Sequence, residues 1–173
     1  EKADEYLMRM AKFSHLQNLK VLKINRCEFY ARSMDELLNS EHPLNLAELY
    51  VHDSHLPADT VHGLLKSKKL ENLHVLQLSS GLFKAEHVAT LIQERAFNRV
   101  ERLYVHRNPL GHAEICGILE GEICKENGVL GLSKNTLEPG EVTDLEARAD
   151  KQNITLVFDE KGLRNHRSQD LLL

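Results

Sequence analysis

The residues of this chain whose types suit chemistry are its ten histidines, three cysteines and 26 carboxylates. The arrangement that most invites a shared site is a triplet written twice, Tyr50-Val51-His52 within ELYVHDSHL and Tyr104-Val105-His106 within RLYVHRNPL. Paired histidines hold zinc when both ring nitrogens reach one centre, at about 2.1 Å each. A local set of His52, Asp53 and His55 is short of ligands, and neighbours on an extended strand face opposite ways. A nucleophilic Cys116 would need an activating base at hand, and the sequence does not demonstrate a histidine beside it. Cys27, Cys116 and Cys124 form no CxxC pair; an odd, widely spaced set suits a reducing compartment better than a disulfide framework. Asn153-Ile154-Thr155 spells a glycosylation acceptor, but it enters an expected strand in a chain without a secretion signal and reads as incidental.

With 173 residues, 42% hydrophobic and 28% charged, the chain is long enough for one domain with a substantial core and too apolar for general disorder. A formal charge of -4 and a pI near 6.2 supply no basic excess, so neither nucleic acid nor an anionic membrane is an expected partner. No apolar run of about eighteen residues is present to span a bilayer. The opening EKADEYLMRM lacks the basic start and apolar segment of a signal peptide. The expectation is a cytoplasmic monomer, not an enzyme, without cofactor or metal. Because it opens on Glu1 rather than methionine, it is also expected to be a piece of a longer protein.

What must position these residues is a repeat. Leu22, Leu49, Leu76, Leu103 and Leu130 recur every 27 residues, followed two places later by Ile24, Val51, Leu78, Val105 and Leu132. Three places before the first column stand Leu19, Leu46, Leu73, Val100 and the exception Asn127; seven after it stand Phe29, Leu56, Phe83, Leu110 and Leu137. Leu156, Phe158 and Leu163 keep this spacing after a one-residue deletion. Strands are therefore expected near 21–25, 48–52, 75–79, 102–106 and 129–133, with a degenerate sixth near 155–159. Between them, apolar residues at i, i+3 and i+4, such as Val61, Leu64 and Leu65, mark one face of a helix in each unit. Ser33 and Glu36 are spaced as a capping box, and Pro57 and Pro139 stand just ahead of helical runs. Residues 1–15 read as a half unit or cap, a helix without its own strand.

One such unit cannot bury its apolar face, so neighbours must stack into a single domain over 1–173, with a parallel sheet covered by helices on one side. Helices are about 10 Å wide and strands about 4.8 Å apart, which bends the stack with the sheet on the concave side. The segments LQNLKVLKINRCEF, LNLAELYVHDSHL, VERLYVHRNPL and NGVLGLSKNTL resemble the leucine-rich repeat consensus L-x-x-L-x-L-x-x-N/C-x-L. Their helical intervals are similar to those of the ribonuclease-inhibitor-like class, which includes Ran GTPase activators, tropomodulins and the sensor ends of NOD-like receptors. The resemblance implies an α/β fold, a right-handed horseshoe solenoid. It also implies that the N/C position, here Cys27, Ser54, Gly81, Asn108 and Asn135, carries a buried side chain that bonds loop backbone. Gly81 has none, so a loosened turn or a water is expected in the third unit.

In this frame the two triplets occupy equivalent columns two strands apart, about 10 Å, too far for one shared ion. Tyr50 and Tyr104 are expected to stand exposed on the concave face. With Glu48, His52, Asp53, Gln77, Arg102, His106 and Arg107 around them, they have the composition of a protein-binding hot spot. The competing reading is that Tyr and His are merely good strand formers stacked along a ladder. Cys27 and Cys124 fall in core columns and read as buried hydrophobes, with Cys116 on a more exposed helix position. Lys66-Ser67-Lys68-Lys69 reads as a solvated helix end, favourable with the dipole. The expected function is noncatalytic binding of a protein partner through the concave face. One alternative is the sensing or autoinhibitory part of a larger receptor or effector. Another is a regulator similar to the Ran GTPase activators, which would use Arg32 in FYARS from a loop at the sheet edge. The leucines closing GLRNHRSQDLLL could cap the last core layer or bind another chain.

Overall fold

The computed structural model describes residues 2–26, 31–54, 57–81, 83–94 and 100–158. Six strands form one sheet in sequence order: β1 (Val21–Asn25), β2 (Glu48–His52), β3 (Val75–Leu78), β4 (Val100–Tyr104), β5 (Cys124–Gly131) and β6 (Thr155–Val157). Every pair is parallel. The register is the sequence period made physical, with Leu22 opposite Leu49, Leu49 opposite Leu76, Leu76 opposite Leu103 and Leu103 opposite Leu130. Leu130 pairs with Leu156, so the one-residue deletion lies between the last two strands.

Six α-helices lie before and between the strands: α1 (Lys2–Met10), α2 (Ala31–Leu38), α3 (Ala58–Lys66), α4 (Ala85–Glu94), α5 (His112–Glu120) and α6 (Pro139–Asp150). Their apolar stripes, including Met34, Leu37, Val61, Leu64, Val88, Leu91, Ile115 and Ile118, share one core with Leu22, Leu49, Leu76, Leu103 and Leu130. The helices thus cover one sheet face, and alternation along each strand sends the intervening residues to the other. In α6 the stripe shifts to Leu145 and Ala149, while Glu146 is exposed. Pro57 is the N-cap of α3, and Pro139 is the first residue of α6. The Ser33–Glu36 capping box does not form. Ser33 lies inside α2 and is buried, and Glu36 accepts instead from Arg32 one turn earlier.

The repeat is also a repeat of backbone conformation. Arg26, Asp53, Ser80, Arg107 and Lys134, one per unit, all take φ between 48° and 70°. A left-handed non-glycine residue costs about 1–2 kcal/mol, and each turn recovers hydrogen bonds. The N–H of Arg26 donates to the His52 carbonyl, that of Ser80 to His106 and that of Arg107 to Ser133, at 2.9–3.0 Å. The ladder therefore continues past the strand ends.

Asn108 fills the next position inward. Its Oδ1 accepts the N–H of Gly81 (2.9 Å) and Phe83 (3.1 Å), and its Nδ2 donates to the Leu78 carbonyl (2.8 Å). The expected loosening is not seen in the turn after β3, which is bonded by Asn108 of the following unit rather than by its own residue 81. Asn135 acts likewise, donating to the Val105 and Leu132 carbonyls.

The Asn127 exception has a geometric cause. Val100 pairs with Cys124 and Arg102 with Val129, so β5 runs through Lys125–Gly128 opposite the single residue Glu101. This bulge gives the apolar position to Cys124, which is buried, and turns Asn127 out with φ 60°. Only glycine fits at 128, where a Cβ would meet the Lys125 carbonyl oxygen at 2.6 Å. The Lys69 expectation also fails. Its ammonium is half-buried and clasps the segment after α2, donating to the Ser40 and His42 carbonyls, and burial pulls its pKa down.

Candidate binding face

On the sheet face away from the helices, three columns run across the strands. One holds Val21, Glu48, Val75, Arg102, Val129 and Thr155; the next holds Lys23, Tyr50, Gln77, Tyr104, Gly131 and Val157. The third, at the strand ends, pairs Asn25 with His52, and His106 and Ser133 follow the ends of β4 and β5. All nine residues singled out from the sequence lie on this face or in the turn beside it. The face divides into two unlike parts.

Over β1 and β2 it is open and mixed. Val21 is 41% exposed, and Lys23 and Asn25 are exposed. The Lys23 ammonium sits 5.0 Å from the Tyr50 ring centroid, a cation–π contact, and the Tyr50 hydroxyl donates to Glu48 at 2.8 Å. At the rim, Asp53 Oδ1 accepts from the Ser80 hydroxyl (2.5 Å), while its Oδ2 lies 3.2 Å from His52 Nε2 and 3.9 Å from Arg26 Nε. The Ser80 bond holds the Asp53 carboxyl below its ordinary pKa, helped by His52, Arg107 and Arg26 and opposed by desolvation. Strict alternation would have put His52 and Asp53 on opposite sides. The left-handed turn at Asp53 brings its carboxylate back beside His52, within 3.2 Å of Nε2. His55 lies outside the described residues.

Over β3 to β6 the same face is largely buried around Tyr104, with Arg102 half-buried and Thr155 exposed. Tyr104 is 1% exposed and clusters with Val75, Val129 and Val157, with Tyr50 at the margin. The expectation of an exposed Tyr104 is therefore corrected. The Tyr104 and His106 rings stack at 5.6 Å and lean over Gly131, where a Cβ would stand 2.5 Å from both. Glycine at that place in the column makes the overlay possible. His106 is buried, and its Nδ1 accepts the Ser133 N–H at 3.2 Å. Gln77 is buried too and donates to Ser79. Arg102 and Arg107 are half-buried.

Two titratable clusters escaped the sequence reading, both joining side chains of adjacent helices. His112 lies one turn before Cys116, correcting the view that no histidine was shown beside that thiol. Sγ is 3.8 Å from Nδ1 and 3.6 Å from Nε2. The near-equal separations single out neither ring nitrogen as the partner of the sulfur. Burial pushes the Cys116 thiol up. His112 Nε2 instead meets Asp144 Oδ2 at 2.7 Å, and Arg148 Nε donates to that oxygen at 2.6 Å. Arg148, then His112, hold the Asp144 carboxyl low. The guanidinium fills the place of a cation, and the cluster clamps α5 to α6.

The second cluster, His62, Glu86 and His87, has three ligand atoms within 4.8 Å of one another. His87 Nδ1, however, accepts the Lys84 N–H at 3.0 Å as part of the α4 cap. The neutral ring then carries its proton on Nε2, leaving no lone pair there for a metal. Burial, then the neighbouring His62, push the His87 pKa down. The i, i+4 spacing of His112 and Cys116 was visible in the sequence, whereas the helix-to-helix contacts of His62 with His87 and of His112 with Asp144 needed the packing.

Cys124 is buried, its thiol pushed up to about 12 by desolvation; Cys27 lies outside the described residues. Arg32 sits within α2, paired with Glu36 at 3.3 Å, rather than in a loop at the sheet edge. No described helix is long and apolar enough to cross a membrane. No protein-family model matches the chain, and no curated protein matches it significantly.

Proposed function

We propose that this chain is a noncatalytic protein-interaction module, a leucine-rich repeat solenoid that engages a protein partner through the open part of its helix-free face. The observation that carries this reading is the β1–β2 surface, where exposed Val21 and half-buried Tyr50 lie among Lys23, Glu48, Asn25, His52 and Asp53. An aromatic and an aliphatic residue ringed by charges of both signs make a typical protein-binding centre and rim. The clustered side chains on the helices support the noncatalytic half of the reading. His112, the histidine beside Cys116, is engaged with Asp144, which Arg148 also holds.

The test is affinity capture from lysate with the intact chain and with a Val21→Asp, Tyr50→Ala variant shown to be folded, followed by calorimetry with each purified partner. A partner bound directly by the intact chain and weakened at least about thirtyfold by the variant, the loss of about 2 kcal/mol typical of a hot spot, supports the reading. Partners bound equally by both chains refute it. Arg32 gives a separate control: GTP hydrolysis by a panel of small GTPases should be unchanged by the chain, whereas acceleration abolished by Arg32→Ala would replace this reading.

A further inference from the structure

Among the described residues, two groups bring three metal-ligating atoms within 4.8 Å of one another: His62, Glu86 and His87, and His112, Cys116 and Asp144. The α4 cap disqualifies the first, because the Lys84 N–H takes the His87 Nδ1 lone pair and leaves the ring proton on Nε2. The second group carries no such bar. His112 Nε2 faces a carboxylate oxygen, Asp144 Oδ2 at 2.7 Å, and a thiol, Cys116 Sγ at 3.6 Å.

We propose that His112 Nε2, Cys116 Sγ and the Asp144 carboxylate bind one divalent ion of the zinc class, which ties α5 to α6. His112 and Cys116 stand at i and i+4 of α5, the spacing that lets two side chains of one helix face reach a single ion. Zinc holds nitrogen at about 2.1 Å and thiolate at about 2.3 Å, and a tetrahedral angle then sets the two about 3.6 Å apart. That is the Sγ–Nε2 separation already present. Nitrogen and oxygen ligands of the same ion stand about 3.4 Å apart, so the His112–Asp144 contact must open. The Asp144 side chain is 45% exposed, which gives it room to move.

The ion enters where a proton sits. An ionised carboxylate only accepts, so the proton between Nε2 and Oδ2 belongs to His112. An ion in its place leaves the ring with a proton on Nδ1 alone, and the thiol releases its own proton to solvent. Arg148 need not leave, because a carboxylate offers about four lone-pair sites. Its Nε uses one of them, and its Nη1 is anchored on Glu120 at 2.9 Å. Charge then balances: the Cys116 thiolate, Asp144 and Glu120 oppose Arg148 and the two positive charges of the ion. A thiolate with an imidazole selects zinc over magnesium and calcium, which take oxygen ligands. The partial exposure of His112 and Asp144 admits a water as fourth ligand. All three ligands are on the helix side, so the site does not depend on the function proposed above.

Ten histidines make zinc uptake alone uninformative, so the test reads the thiolate. The untagged full chain, stripped of metal and kept reduced with a phosphine, is titrated with cobalt(II). A thiolate-to-cobalt charge-transfer band that saturates at one equivalent is expected. It should vanish in Cys116→Ala, and the affinity should fall at least about tenfold in His112→Ala and in Asp144→Asn. No band, a band that survives Cys116→Ala, or an affinity unchanged by either of the other two substitutions overturns the site. Should circular dichroism show a variant unfolded, the unaltered chain decides through alkylation of Cys116 by iodoacetamide, read by mass spectrometry. One equivalent of zinc should slow that reaction at least about tenfold if the thiolate is a ligand, and an unchanged rate overturns the proposal.

Discussion

Tyr50 and Tyr104 have the same neighbours in sequence and occupy the same column of the same sheet, yet they belong to different surfaces. Tyr50 stands half-buried, its ring beneath the Lys23 ammonium and its hydroxyl on Glu48. Tyr104 is buried, its ring stacked with His106 above the bare backbone of Gly131. The difference lies in the next strand's residue of that column. Beside Tyr50 is Gln77, which fills its own space and bonds Ser79. Beside Tyr104 is a glycine that lets the aromatic ring lie down. A repeat supplies equivalent positions, and the residue one unit away decides what each position does.

The largest expected effect separates the two tyrosines on stability. Tyr104→Ala removes a buried aromatic ring and should cost about 3–5 kcal/mol, read as a fall in the urea midpoint at constant slope. If Tyr104→Ala proves as mild as the same change at Tyr50, the buried half is not part of the folded core and the comparison fails.

The turn after β3 depends on one side chain. Asn108 makes three hydrogen bonds to backbone there. Asn108→Ala leaves buried backbone groups unpaired and should cost about 3 kcal/mol. Hydrogen exchange at Gly81 and Phe83 locates the damage: their amides should lose protection in Asn108→Ala before the strands do.

How much of this was legible follows from what a period can and cannot encode. The 27-residue spacing placed five strands in register and the sixth after a one-residue deletion, because each strand pairs with the copy one unit away and a slip would expose Leu22, Leu49 or Leu76. The helix stripes were legible for the same reason. The fate of each face residue was not, since Tyr104 is buried by stacking with His106 over Gly131. Nor did alternation extend to Asp53, where a left-handed φ of 48° ends the strand rule and brings the carboxylate beside His52. The Asn127 bulge and the Cys116–His112–Asp144 cluster depend on an insertion and on helix packing, neither of which a column of apolar residues reports.

Acid should loosen the two halves in different pH ranges. His87, at the start of the helix between β3 and β4, has its pKa pushed below 6.5 by burial. The unfolded chain takes up that proton more readily than the folded one. The stabilisation is therefore complete above about pH 6.5 and declines as pH falls below it, by at most about 1.4 kcal/mol per pH unit. His87→Gln keeps an acceptor for the Lys84 N–H and should flatten this slope. Asp53, in the open half, is shifted below 3.8, so its stabilisation is full above that pH and is lost only as pH falls further through the carboxylate range. Unfolding curves at pH 7, 5.5, 4 and 2.5 for both chains separate the two. A slope unchanged by His87→Gln would remove the buried histidine from the account.

The smallest expected effect on stability is the one that matters most for function. Tyr50→Ala loses a cation–π contact and a hydroxyl bond, both on a half-exposed surface, and should cost about 1 kcal/mol or less. The Lys23 and Glu48 side chains it releases can turn to solvent. A side chain nearly neutral for folding and costly for binding marks a contact surface, because a core residue moves both together. If Tyr50→Ala instead destabilises the chain as Tyr104→Ala should, the open half is an extension of the buried one. The binding surface would then have to be sought at the exposed rim, among Arg26, Asp53 and the turns that carry them.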